Sequence, residues 1–456
     1  MEQAGVKRIA LLVATLGAFL TPFGGSSLNI ALPSIGKEFA MNAISLSWVA
    51  TAYILATAIL LVPFGKIADI YGRKRIFTYG ILIYTIASFS LILCSSAVML
   101  IGLRILQGIG SAMIFTNGMA ILTSVFPVWE RGKVIGINVA AVYLGLSLGP
   151  FIGGFLTQHF GWRSIFFVNL ILGVIIIAFI FWKLKGEWLE AKGEKFDLTG
   201  SFLYSLTLIV IMYGFSRLPA MLGVCLILIG VLGVLIFVKW EMNVESPVLD
   251  THLFRNNRVF AFSNLAALIH YSGTYAVGFL LSLYLQYIKG LQPQSAGLIL
   301  VSQPIIQAIF SPFSGKLSDR FEPRIVASMG MGLSAIGLLL FVFLNEKTSL
   351  VFIVASLILL GFGFGLFSSP NTNAVMSSVE KRFYGVASGI HGTMRMIGQM
   401  FSMGMTMLIF AIYIGEVQIT PEYYSLFLRS VKMAFAFFTV LCFGGIFGLL
   451  TRGKVR

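Results

Sequence analysis

The stretch Gly65-Lys66-Ile67-Ala68-Asp69-Ile70-Tyr71-Gly72-Arg73-Lys74-Arg75 follows directly on an apolar run. A shorter echo, Gly315-Lys316-Leu317-Ser318-Asp319-Arg320, closes a second such run. Each echo comes after the second apolar run in a set of six. The chain therefore reads as two six-helix halves related by a parallel duplication. The chemistry of the stretch is legible. Gly65 and Gly72 permit tight helix ends, Asp69 is placed to cap or to pair, and Arg73, Lys74 and Arg75 form a basic patch at a membrane surface. Two readings stay open: a bistable contact between moving halves, which suits a charge cluster at a buried edge, or a solvated basic turn that only fixes topology.

Working outward, apolar runs long enough to cross about 30 Å of hydrocarbon recur from end to end. They fall near residues 9–31, 44–66, 76–95, 98–124, 133–157, 164–182, 198–217, 219–239, 259–287, 294–315, 324–344, 349–370, 384–411 and 429–450. The 456 residues are 58% hydrophobic and only 11% charged, so no soluble domain fits between the runs. The expected fold is an all-α polytopic membrane protein of fourteen transmembrane helices. A six-helix bundle spans 1–182, a linker with two inserted helices spans 183–257, and a second six-helix bundle spans 258–456.

Loop charge supports this count. Lys7 and Arg8, Arg73–Arg75, Arg131 and Lys133, and Lys183, Lys185, Lys192 and Lys195 fall on one side. So do Arg255 and Arg258, Arg320 and Arg324, Lys381 and Arg382, and Arg452, Lys454 and Arg456. The other side has little beyond Lys37, Arg163, Arg217, Lys289 and Lys347. By the positive-inside rule both termini are expected in the cytoplasm of a plasma-membrane protein. The net charge of +15 is thus accounted for without nucleic acid. Cys94, Cys225 and Cys442 have neither metal nor disulfide spacing and read as buried structural thiols. The first run lacks a short apolar core followed by a small-residue cleavage site, so a retained helix is expected. No enzyme signature, cofactor motif or metal cluster is legible.

Two motifs lie inside the spans. Arg104, Gln107, Gly108 and Ser111 share one helix face at i, i+3, i+4 and i+7. A charge at that depth needs a polar interior, although Arg104 could also snorkel to the nearby interface. The fifth run carries Gly136, Gly145, Gly149, Pro150, Gly153 and Gly154. Small residues let helices approach closely, and Pro150 bends the span where a hinge or seal would sit.

Taken together, Gly65–Arg75, the Arg104–Ser111 face and the glycine–proline run resemble the signatures of the major facilitator superfamily. Trp162-Arg163-Ser164-Ile165-Phe166-Phe167-Val168-Asn169 and Phe196-Asp197-Leu198-Thr199-Gly200 are similar to its fourteen-helix drug:proton antiporter branch. So are Glu245-Ser246-Pro247-Val248-Leu249-Asp250 and Leu253-Phe254-Arg255-Asn256. The resemblance implies alternating access and proton-linked export of small amphipathic molecules. It also implies that Gly65, Asp69, Gly72, Arg73, Asp319, Gly145, Gly149, Pro150, Gly153 and Gly154 belong to the conformational gate. One departure stands out. The branch places an acid five positions before the Asn of its Asn-x-Ala-Leu-Pro helix end; here the end is Asn29-Ile30-Ala31-Leu32-Pro33 and the position is Gly24.

Candidate cavity residues are Arg104, Gln107, His270, Gln303, Gln307, His391, Arg395 and Gln399. His391, Arg395 and Gln399 form an i, i+4, i+8 stripe, as do Gln303, Gln307 and Ser311. Histidine, with an unperturbed pKa near 6.5, is suited to carry a coupling proton or, equally, to pack as a neutral hydrogen-bonded ring. Phe19, Tyr143, Met394, Met396, Met400 and Met403 are candidates for an adaptable apolar lining. The expected protein is a monomeric proton-linked exporter. With no mid-membrane carboxylate, and with Arg104 and Arg395 expected in the cavity, neutral or anionic amphiphiles are favoured over permanent cations, and Gly24→Asp is expected to improve handling of cations if position 24 faces the cavity. An exporter or facilitator of anionic or neutral metabolites, or a membrane sensor that moves nothing, are the alternatives.

Overall fold

The computed structural model describes residues 2–189, 191, 193–244, 247–249, 254, 257–379 and 384–451. The side chain of Asp319 lies outside the described residues, as do those of Arg131, Lys133, Lys192, Arg255, Lys381, Arg382, Arg452, Lys454 and Arg456. The first eight helices are α1 (Glu2–Glu38), α2 (Ala43–Tyr71), α3 (Arg73–Ile92), α4 (Ala97–Val125), α5 (Val128–Phe160), α6 (Arg163–Lys183), α7 (Leu198–Arg217) and α8 (Met221–Glu241). Next comes α9, built from Arg258–Thr274, Ala276–Leu283 and a π-helical turn at Tyr284–Ile288, and then α10, built from Pro293–Leu300 and Ser302–Arg320. The chain ends with α11 (Pro323–Val342), α12 (Leu350–Ser377), α13 (Tyr384–Tyr413) and α14 (Tyr424–Thr451). Fourteen spans are long and apolar enough to cross a membrane. With an even number, both termini sit at one end of the bundle, called here the near end.

Helix starts follow from side chains that accept otherwise orphaned N–H groups. Asn42 accepts from Ser45 N at 2.7 Å, Asp197 from Gly200 N at 2.8 Å and Asn257 from Phe260 N at 2.9 Å. The duplication is visible in the packing. The pairs α1/α5, α2/α4, α3/α4 and α3/α6 recur as α9/α13, α10/α12, α11/α12 and α11/α14. The α7–α8 hairpin stands outside this repeat, and α7 leans on both α2 and α13.

The stretch at Gly65–Tyr71 differs from expectation. Nothing in it breaks a helix, so α2 continues to Tyr71 and the turn shrinks to Gly72, at φ 119°. Likewise Gly315–Arg320 is the last turn and a half of α10 and not a loop.

Gly72 offers no side chain to cap α3, and the linker supplies one. Glu187 accepts from Lys74 N at 2.8 Å and from Arg75 N at 3.2 Å. The linker also pairs its backbone with the turn, Arg73 N to Trp188 O and Ala191 N to Asp69 O, each at 3.0 Å. Lys66 meets Glu194 at 2.5 Å.

A second device involves Pro63, inside α2. Its missing N–H leaves the Ile59 carbonyl without its helical donor. Ser205 of α7 donates to that carbonyl at 3.0 Å, and the neighbouring Tyr204 hydroxyl donates to Ala58 O at 2.9 Å. Polar side chains from a neighbouring helix are one way a span that contains proline satisfies its backbone in lipid. Ten residues on, Phe215 packs edge-on against Phe401 of α13, with ring centroids 5.7 Å apart.

Candidate functional site

The two six-helix sets meet along α1/α9, α2/α13 and α5/α10. At the far end, away from the termini, they are joined. Ser282 donates to Asn29 O at 2.5 Å and Gln286 to Ile30 O at 2.9 Å. Gln294 N donates to Gln158 at 3.2 Å. The α5/α10 seam is close because it is built from small residues: a Cβ at Gly154 would lie 2.5 Å from Pro293 O, and one at Gly297 would run into Pro150 O. The other face of the same run meets α1, where a Cβ at Gly145 would lie 2.6 Å from Phe19 O and one at Gly153 2.7 Å from Ser27 Cβ. A Cβ at Gly149 would collide with Ser26. At Gly136 there is open space, so that glycine packs nothing.

Between the halves lies a cavity of about 220 Å³. Tyr53, Phe115, Tyr143, Tyr271, Tyr275 and Phe364 form its aromatic walls, while Asn29, Gln303, Gln307 and Gln399 bring amides to it. Arg395 is the charged group on this wall, and no carboxylate lines it among the described residues. The arrangement is that of a small-molecule site: mostly apolar, with a few polar groups that fix orientation. Toward the near end Phe115 packs with Ala58, Leu61 and Met396, and Tyr143 lies 3.3 Å from Ser368 across the halves.

The expected site residues divide. Gln303, Gln307, Arg395 and Gln399 are on the cavity wall, with Tyr143 and Met396. Arg104 and Gln107 are not. Arg104 is 1% exposed, donates to Val49 O at 3.2 Å and to Gln107, and lies 4.2 Å over the Tyr53 ring. Gln107 passes the chain on to Ser88 at 3.0 Å. This network stiffens the first half behind the wall, so snorkelling to the interface is replaced by burial.

His270 is also behind the wall, stacked on Phe367 at 4.0 Å and 3.1 Å from the Ser334 hydroxyl. His391 is one turn nearer the termini than Arg395 and stands 3.2 Å from Thr372. Neither His270 nor His391 is among the residues lining the cavity. Phe19 stacks on Phe23, and Met400 and Met403 are buried in the core, not on the wall.

Position 24 requires a correction. A Cβ there would run into the Tyr84 hydroxyl and lie 3.0 Å from Asn169 Nδ2, two fully buried side chains of the same half. Gly24 therefore faces α3 and α6, not the cavity. An acid at this place would point at Tyr84 and Asn169.

Among the residues expected at the gate, Asp69 pairs with Arg73 Nε at 2.8 Å, and Arg73 reaches on to Ser124 at 2.6 Å and Ala120 O at 3.3 Å on α4. Gly65 sits against α4, where a Cβ would lie 2.9 Å from Thr116. At the far end Arg163 forms a two-pronged pair with Glu38 at 2.7 and 3.0 Å, and Trp162 donates to the same carboxylate at 2.6 Å. That triad ties the end of α1 to the start of α6. Asn29, Tyr53, Tyr271 and Tyr275 were missed by sequence reasoning. Their only signal was polarity within a span, and tyrosine is too common in membrane helices to single out.

The sequence profile of the Major Facilitator Superfamily matches residues 14–240 and 264–455. The chain belongs to the major facilitator superfamily. It is thus a multi-pass membrane transporter of small molecules, and not an enzyme. Among superfamily relatives, the riboflavin transporter RibZ of Clostridioides difficile is 32% identical over 392 residues, 85% of each chain. The multidrug resistance protein Stp of Mycobacterium tuberculosis is 29% identical over 396 residues, 86% of this chain and 73% of that protein. A bacterial homologue of the human lysosomal transporter Spinster, solved inward-facing and unoccupied, superposes with a TM-score of 0.67 at 16% identity. That superposition covers 98% of this chain and 97% of the other, and shares the superfamily fold.

Proposed function

We propose that this transporter exports small aromatic, amphipathic compounds by alternating access, in exchange for protons, as a monomer of the fourteen-helix drug:proton antiporter branch. It would reside in the plasma membrane with both termini in the cytoplasm, and residues 1–182 and 258–456 would be its two moving bodies. The observation that carries this reading is the cavity at the meeting of the halves, walled by aromatic rings and amides and holding a guanidinium with no carboxylate beside it among the described residues. Such a wall disfavours permanent cations, because bringing like charges together in a poorly solvated space is costly. Neutral and anionic compounds are the expected cargo. The likeness to Stp supports the export reading.

With no carboxylate on the wall among the described residues, a coupling proton would be carried by His391, His270, Asp69 or the cargo itself. A second reading, transport of a neutral or anionic metabolite without broad drug specificity, is favoured by the likeness to RibZ. Flux of a labelled panel into proteoliposomes, with and without an imposed pH gradient, separates the two. Proton-driven movement of many unrelated neutral or anionic aromatics supports the first reading, and movement of one vitamin-like compound alone supports the second. Efficient pH-driven transport of a permanent cation would overturn the charge preference, and absence of any flux would leave a membrane sensor.

A further inference from the structure

We propose that Arg395 recognises a negative charge on the cargo and does so by releasing Phe115, so that binding an anion loosens the contact between the halves on the near side of the cavity. The proposal rests on the reading of the cavity as the transport site. Arg395 belongs to α13 and Phe115 to α4, on opposite sides of the seam. The guanidinium carbon lies 4.9 Å from the centre of the Phe115 ring and 5.7 Å from that of Tyr271, whose hydroxyl also interacts with it. Its Nε has no hydrogen-bond partner. Arg104 shows the contrast: it is tied to carbonyl and amide oxygens of its own half.

A ring face is a weaker partner for a guanidinium than a carboxylate, which accepts two parallel charge-assisted hydrogen bonds. An anionic group entering the cavity therefore draws Arg395 away from Phe115. The ring then keeps Leu61, Met396 and the bare backbone at Gly392, where a Cβ would lie 3.4 Å from Phe115 Cε1. These are slippery contacts with no directional bond. A neutral cargo leaves the Arg395–Phe115 clasp in place. Charge recognition and release of the near-side closure thus share one side chain.

The test uses full-length protein in nanodiscs and two fluorescent probes of one skeleton, coumarin-3-carboxylate and coumarin-3-carboxamide. The readout is the ratio of their affinities. Arg395→Gln should lower the carboxylate-to-carboxamide ratio by about tenfold or more, the loss expected for one charge-assisted pair, and Arg395→Lys should restore part of it. Phe115→Leu removes the competitor for the guanidinium and should raise the ratio severalfold. Opposite signs for the two substitutions are what a purely structural role would not produce. A ratio unchanged in both variants, or lowered in both, overturns the assignment of Arg395 while leaving the cavity as the site. Failure of the parent protein to bind either probe overturns the proposal together with the reading of the cavity.

Discussion

Glu187 of the linker stands 2.8 Å from the backbone nitrogen of Lys74 and thereby caps a helix that is more than a hundred residues away in sequence. The N-cap position is Gly72, which has no side chain to accept a bond, so a segment outside the first bundle completes it. Glu187→Ala should cost about 1 kcal/mol, the usual value for a lost N-cap. Denaturant or thermal unfolding of the purified protein measures it, and trypsin should cut faster between Lys185 and Lys195. An unchanged cleavage rate would show that the linker is held by other means.

The Asp69–Arg73 pair makes a different prediction, since neither residue lines the cavity. Asp69→Asn weakens a charge-assisted hydrogen bond of about 1.5–3 kcal/mol, and turnover should fall about tenfold or more. Cargo affinity at equilibrium should stay within about threefold, because a residue remote from the site acts on the rate of the conformational step. Parallel loss of binding and flux would place Asp69 in the site or the fold.

The far-end closure can be loosened by one methyl group. Gly154→Ala puts a Cβ 2.5 Å from Pro293 O and should cost the closed arrangement about 1–3 kcal/mol, as overpacking does. A cysteine at Asn29 should then react faster with an impermeant thiol reagent added on the far side. Gly136→Ala, in open space, is the control and should change nothing.

Topology is tested by single cysteines at Lys195 and Lys289, which belong to opposite ends of the bundle. The loop-charge rule predicts that Lys195 faces the cytoplasm. In intact cells an impermeant reagent should reach only the cysteine at 289, and labelling of both would overturn the fourteen-span arrangement of the native protein.

Much of this architecture was legible because apolar length and loop charge are one-dimensional signals. The spans, the duplication and the glycine–proline seam all depend on spacing along a single helix. What was not legible is which neighbour a helix face meets. Arg104 and Arg395 both appear as cations on polar stripes, yet one faces its own half and the other the cavity. Gly24 was singled out because the resembled branch places an acid there, and whether it faces the cavity cannot be read from spacing along one helix. Only the packed position of Tyr84 and Asn169 shows that it does not. The extent of α2 was misjudged for a simpler reason: charged residues near its end looked like a loop, although helices tolerate charge wherever they leave the hydrocarbon.

The bond from Ser205 to the Ile59 carbonyl supplies the last prediction. Ser205→Ala leaves a buried acceptor unsatisfied and should destabilise by about 1–3 kcal/mol. Pro63→Ala gives α2 its own donor back, so the cost of Ser205→Ala should shrink in that background. A double-mutant cycle on unfolding free energy measures the difference. A cost that is the same in both backgrounds would mean that Ser205 does not stand in for the donor that Pro63 lacks.

That attachment bears on how the molecule moves. Because α7 is fastened to α2 through Tyr204 and Ser205 and to α13 through Phe215, it can stay joined to both only where they are displaced least relative to each other. The pivot of any rocking motion is therefore drawn toward this flank, and the seam of α5 and α10 across the cavity has the long lever arm. If the two ends of the cavity open in turn, the α5–α10 seam with Gly154 and Gly297 travels farther at each stroke than the flank that α7 holds.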